Sequence, residues 1–153
     1  MSYLDIIKKA MFTKFHMIRY YYSELLQLSM NGGTFIRPLY FEFDTDPKAF
    51  TAAQTNNVML GKHLKLSINA NMLGQNTTDF YFPEGVWCSV LKGLGTSTCM
   101  DVPLGGQTKT LSSKAYDAWV HLREESIVPM QNGQALCSIY GLKTTTELRT
   151  HPI

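Results

Sequence analysis

Apolar residues stand at Leu4, Ile7, Met11, Phe15, Ile18, Tyr22, Leu25 and Leu28, in steps of three and four, and Asn31-Gly32-Gly33 follows at once. Such steps place the apolar side chains on one side of a helix. The spacing predicts one helix over residues 2–30. Ser2 is its expected N-cap, with Asp5 three positions on as a variant capping box. It stops where Asn and Gly can enter the left-handed conformation. Lys8, Lys9, Lys14, Arg19 and Glu24 fall largely off the stripe. A packed surface helix explains the stripe better than membrane contact or a coiled coil, and it needs something to lie against.

After Gly33 the texture changes to short apolar or alternating runs between turn residues, the pattern of a β-rich domain. The expected strands are 34–43, 58–68, 79–82, 86–91, 109–112, 116–122 and 126–130. Asp44-Thr-Asp-Pro47, Pro83-Glu-Gly85, Gly93-Leu-Gly95 and Gly105-Gly106 are the turns between them. Ala49 to Asn57 fits a short helical turn. The reading is mostly β: one long N-terminal helix, then an antiparallel sandwich of about 100 residues. Such a sandwich leaves much of the helix without a neighbour. The tail from Asn132 is polar and has no assigned strand.

The chain has 153 residues, 44% hydrophobic and 17% charged, so it can build a core. Fourteen basic against twelve acidic residues give a net charge of +2, with no basic run or stripe, so nucleic acid is not an expected partner. No apolar run reaches the roughly 18 residues of a membrane span. "MSYLDIIKKAMF" puts an acid and two lysines where a secretory leader would have its apolar core.

Cys88, Cys99 and Cys137 contain no Cys-x-x-Cys pair, which leaves one disulfide plus a buried thiol, or three buried thiols. His16, His63, His121 and His151 lie far apart and show no metal-ligand spacing. No phosphate loop, dinucleotide fingerprint or nucleophile elbow occurs, and no cofactor is expected. Glu42, Asp44 and Asp46 cluster, as do Glu124 and Glu125, but at a strand end and a turn, where acids are ordinary. Tyr20, Tyr40, Trp87 and Trp119 could stack on sugar rings, and in a sandwich such residues more often fill the core. Asn76-Thr-Thr78 is a glycosylation acceptor, used only if the chain enters the secretory pathway.

"GGTFIRPLYFEFDTDP", residues 32–47, resembles a passage of glycoside hydrolase family thirty-one, the α-glucosidases of lysosomal acid α-glucosidase and sucrase-isomaltase type. The family run is Gly-x-x-Val-x-Arg-Pro-Leu-Phe-x-Glu-Phe-Pro-x-Asp. It falls here on Gly32, Phe35, Arg37, Pro38, Leu39, Tyr40, Glu42, Phe43, Asp44 and Asp46. Lys8 to Phe15 and Tyr20 to Leu25 look like the family's last barrel helix. Tyr81-Phe-Pro-Glu-Gly-Val-Trp87 matches Tyr-x-Pro-x-Gly-x-Trp. Val120 to Gln131 matches Val-His-x-Arg-Gly-Gly-x-Ile-Ile-Pro-x-Gln, and Thr144 to Arg149 resembles Thr-Thr-x-x-Ser-Arg. The family's helix arginine is Lys14 here, its proline is Arg19 and its Gly-Gly is Glu124-Glu125. Two glutamates would strain a turn that needs positive φ.

The resemblance implies three regions. Residues 1–32 would be the last helix of a (β/α)8 catalytic barrel, 33–131 the proximal C-terminal β-sandwich, and 132–153 a divergent tail leading to the next strand. Pro38 would then sit on an edge or first-paired strand leaving the helix. Leu39, Phe41 and Phe43 would turn one face into the core. The family hydrolyses α-glycosidic bonds with retention, using two barrel aspartates. Its Trp-x-Asp-Met-Asn-Glu motif is not in this chain, so no catalytic, substrate-binding or metal residue carries over, and whether the chain takes part in catalysis rests on the rest of an enzyme. The expected partner is the remaining barrel, which would meet the α-glucan, or another protein covering Leu4, Ile7, Met11, Phe15 and Ile18. The family implies the secretory pathway, the lysosome or the cell exterior. Two further readings stay open: a standalone non-catalytic interaction module, and a carbohydrate-binding module using Trp87 or Trp119.

Overall fold

The computed structural model describes residues 3–51, 56–68, 77–90, 98–112, 118–131 and 146–150. Ser2, Asn76, Cys137, His151 and the Gly93-Leu-Gly95 turn lie outside them. The order is α1 (Tyr3–His16), α2 (Ile18–Asn31), β1 (Ile36–Pro38), 3-10 turns at Leu39–Phe41 and Pro47–Phe50, β2 (Asn57–Leu60), β3 (Leu64–Ile68), β4 (Thr77–Phe82), β5 (Gly85–Ser89), β6 (Cys99–Val102), β7 (Gln107–Ser112), β8 (Ala118–Arg123), β9 (Ile127–Gln131) and β10 (Thr146–Thr150). Two compact units result: α1 and α2 with β9 and β10, and the segment from Thr34 to Ser126.

In the first unit the expected single helix is two. Met17 leaves the helical track at φ −96°, ψ 1°, and its N–H turns back to Lys14 O at 3.2 Å. Gln131 accounts for the break. Its Nε2 donates to Phe15 O at 2.9 Å, its Oε1 accepts from Arg19 Nε at 3.2 Å, and its carbonyl accepts from His16 Nδ1 at 2.5 Å. A side chain inserted into the helical ladder is a recognised cause of kinks. α2 ends as the spacing predicts, with Gly32 N–H returned to Leu28 O at 2.8 Å. β9 and β10 pair antiparallel from Ile127↔Thr150 to Gln131↔Thr146, so the polar tail contributes a strand that its sequence did not announce.

The second unit is antiparallel throughout. A six-stranded sheet runs β1-β2-β3-β8-β5-β6, and β4 pairs with β7. Met59, Trp87, Val102 and Trp119 from the larger sheet meet Phe80, Tyr81 and Phe82 of β4 in one core, with Leu39 and Ala49. β1 is an edge strand, where Pro38 forfeits little by lacking an N–H.

The strand expected over 34–43 is only three residues long. Beyond Pro38 the chain enters a 3-10 turn, so Leu39 is buried while Phe41 points outward, contrary to the alternation. Arg37 holds that turn: its Nε donates to Thr34 O at 2.7 Å and its Nη1 pairs with Glu42 at 2.5 Å. The strand expected over 58–68 is a hairpin, β2 turning at Gly61 into β3. β6 was not expected at all.

Cys88 and Cys99 face each other across β5 and β6 and form a disulfide. The bridge closes a short loop, which limits the unfolded chain's freedom. Replacing both cysteines by alanine should destabilise the unit by about 2–3 kcal/mol. Urea unfolding with and without reductant checks it: an unchanged midpoint in the wild type on reduction would leave the bridge no stabilising role.

Candidate functional site: an uncovered apolar face

Much of the stripe lacks a neighbour, as the sequence led us to expect. Leu4, Ile7, Met11, Tyr22 and Leu25 are all exposed, Tyr22 at 70%, while Phe15, Ile18 and Leu28 are partly covered. The residues that bury are Met17 and Tyr20, flanked by half-buried Thr13 and Glu24. These four also recur at helical steps, but on a different face, and α2 lies along β9. Leu26 and Met30 extend the uncovered surface. Scattered apolar residues on a surface are normal, but exposed apolar residues recurring along both helices point to a contact site.

The second unit carries a smaller exposed cluster of its own. Tyr40 stacks on Phe50 with ring centroids 5.3 Å apart and meets the edge of Phe41 at 5.1 Å. Phe41 and Phe50 are more than half exposed.

Two carboxylates of the first cluster considered for catalysis, Glu42 and Asp46, are taken up by structure. Glu42 pairs with Arg37. Asp46 caps the turn at Pro47–Phe50 by accepting from Lys48 N–H at 2.9 Å, and it also accepts the Tyr81 hydroxyl proton. Burial and Asp46 together push the Tyr81 hydroxyl far above its usual range. Asp44 is exposed in the turn.

Glu124 and Glu125 divide their roles. Glu125 alone takes positive φ, 54°, a conformation that costs a non-glycine residue about 1–2 kcal/mol. Glu124 closes onto β5: its N–H donates to Val86 O and its carboxylate accepts from Val86 N–H at 3.0 Å. That carboxylate lies where a Cβ on residue 85 would stand, 2.5 Å from Oε1, which explains Gly85.

Trp87 is fully buried and donates to Pro83 O at 2.9 Å; Trp119 is 9% exposed and donates to Ser112 O at 2.7 Å. Both belong to the core, as does Phe82, and neither offers a ring to a sugar. Tyr20 is buried in the helical unit. His16 contacts Gln131, His63 contacts Ser126 Oγ at 3.0 Å, and His121 is buried. Among the described residues no group of three His, Cys, Asp or Glu could hold a metal ion, and no helix is long and apolar enough to cross a membrane. The sequence reading missed Gln131 as the wedge between the helices and Lys65 as a buried amine. Lys65 stood in the strand expected over 58–68, and Gln131 closed the Val120-to-Gln131 match just beyond the strand expected over 126–130.

The glycosyl hydrolase family 31 C-terminal domain matches residues 32–128. The chain is 29% identical to lysosomal alpha-glucosidase of Mus musculus, over 96% of this chain and 16% of the relative. It is 31% identical to lysosomal alpha-glucosidase of Bos taurus, over 94% and 15%. A GH31 dextranase from Flavobacterium johnsoniae superposes with a TM-score of 0.69 at 24% identity, covering 83% of this chain and 14% of the dextranase. The chain therefore spans about a sixth of the length of the curated relatives it matches.

Proposed function

The chain belongs to glycosyl hydrolase family 31, and from that membership we propose that it is the C-terminal portion of a retaining α-glucosidase and braces the enzyme's catalytic barrel. Residues 1–32 are the last barrel helix in this reading, 33–131 the proximal sandwich and 132–153 the lead into the next strand. The observation that carries it is the exposed apolar face of α1 and α2, which these residues leave for another surface. Arg37 and Glu42 hold the turn that follows Pro38 at the start of the sandwich. The aspartates that act on the sugar would come from the barrel, as the family's retaining chemistry requires two carboxylates about 5 Å apart. The Cys88–Cys99 disulfide fits an oxidising compartment.

Purified 153-residue protein should release no glucose from maltose or starch, and reproducible release would sink this reading. The transcript upstream of Met1 decides the remaining question. An open frame running back through Trp-x-Asp-Met-Asn-Glu fits the enzyme portion. An in-frame stop just before Met1 favours a standalone module without catalytic groups.

A further inference from the structure

The inner face of the six-stranded sheet carries a polar row where a sandwich core would ordinarily be apolar. Register places Met59, Lys65, His121 and Ser89 side by side on β2, β3, β8 and β5. Asn57 and Ser67 form the start of the next row. Lys65, Ser67, Asn57 and His121 are all at most 2% exposed.

The Lys65 amine meets neutral groups. Nζ donates to Asn57 Oδ1 at 2.6 Å and to Ser67 Oγ at 2.5 Å, and Ser67 Oγ donates to Asn57 Oδ1 at 2.9 Å. Two acceptors match the two N–H bonds of a neutral amine; an ammonium would bring a third. Nζ stands 3.9 Å over the Phe82 ring of β4, and the edge-on Phe82–His121 pair has centroids 4.8 Å apart. The ring face would attract a cation, but one ring and two neutral oxygens are poor compensation for an ammonium stripped of water. Of the groups facing Lys65 from its neighbours — Asn57 and Met59 on β2, Phe82 on β4, Ser89 on β5, His121 on β8 — only His121 titrates, and it would carry the same sign. Asn57 Nδ2, Ser89 Oγ and His121 Nδ1 have no hydrogen-bond partner, and none of them is an anion that would balance a new positive charge.

We propose that this row is a proton-operated latch between the six-stranded sheet and β4: neutral, it lets Phe82 close on the sheet, and protonated, it loosens the sandwich. Burial holds Lys65 well below its ordinary value, and burial with Lys65 beside it lowers His121 to about 3. Both groups are bases with depressed folded values, so the unfolded chain binds more protons. Stability rises with pH between the folded and unfolded value of each group. For His121 that window is about pH 3 to 6.5; for Lys65 it lies below 10.5, its ordinary value. If the sandwich braces a barrel, acid would soften the brace. That consequence rests on the reading above, whereas the latch does not.

The test is urea unfolding of the 153-residue chain between pH 4 and pH 10, beside Lys65→Met and His121→Phe. In the wild type the unfolding constant should fall up to tenfold per pH unit within each window. Lys65→Met should lose the part in its own window, and His121→Phe the part below pH 6.5. Nitrogen resonances of the lysine side chains in the wild type supply a second readout that needs no variant. Lys65 should show a neutral amine at a pH where the other lysines are ammonium. Unchanged pH slopes in folded variants, or a Lys65 resonance titrating with the bulk lysines, would overturn the latch.

Discussion

Replacing Trp87 by alanine should destabilise the sandwich by about 4 kcal/mol. The side chain is wholly buried, and its ring sits between Phe43 at 6.1 Å and Phe82 at 6.2 Å. Its removal forfeits the largest apolar contact in the core and leaves a cavity that two flanking aromatic rings cannot close. It also strands the Pro83 carbonyl, which accepts from the indole N–H. A buried carbonyl without a partner adds about 1–3 kcal/mol to the penalty. Trp87→Phe separates the two contributions, because it keeps a ring and loses the donor, and should cost about half as much. Urea unfolding followed by Trp119, the other tryptophan in the chain, reads both variants without interference. A loss below about 1 kcal/mol for Trp87→Ala would mean that the Tyr81-to-Trp87 motif is not a packing motif.

That motif shows how far the sequence reached. Its resemblance to Tyr-x-Pro-x-Gly-x-Trp was legible, and each conspicuous residue has a local reason. Tyr81 reaches Asp46, Gly85 makes room for Glu124, and Trp87 fills the core. Turn residues also placed most strand ends within a residue or two. Periodicity failed where one pattern had two readings. Leu64-Lys-Leu-Ser-Ile68 reads as leucines inward and lysine outward, yet Lys65 and Ser67 face the core while Leu66 is only half-buried. Nothing local forces that choice. It depends on Asn57 and His121 arriving from distant strands with the matching polar groups.

The helical stripe was legible, and so was its lack of cover within this chain. Its spacing was read correctly, but spacing alone cannot say which surface covers it, and the face used within the unit is the one holding Met17 and Tyr20. The two shortest misses share a cause as well. β6 contains four residues with an acid among them, and β10 has a single apolar residue, so their pairing is set by partners far away in the chain.

Gly105 and Gly106 look equivalent in the sequence, and alanine at each should separate them sharply. Both have positive φ, 84° and 68°, so either substitution costs about 1–2 kcal/mol of backbone strain. At Gly105 a Cβ would meet nothing within 4 Å, and strain is the whole effect. At Gly106 it would lie 1.8 Å from the Tyr81 hydroxyl and 2.4 Å from its Cζ. A tyrosine ring cannot retreat at its tip without moving as a body, and this one is anchored in β4 among buried Phe80 and Phe82. The methyl group would therefore break the Tyr81 bond to Asp46 and its longer one to Gly105 O at 3.3 Å. A hydrogen bond to a carboxylate is worth about 1.5–3 kcal/mol, which brings Gly106→Ala to about 4 kcal/mol in all. The Asp46 carboxylate would lose one partner and keep its bond from Lys48 N–H. Tyr81→Phe in the Gly106→Ala background supplies the check. With the bond to Asp46 already broken, the second substitution should recover part of the loss instead of adding to it, because it removes the atom nearest the new methyl. Thermal or urea unfolding of the four proteins gives the coupling directly, and simple additivity of the two changes would show that the overlap is relieved elsewhere.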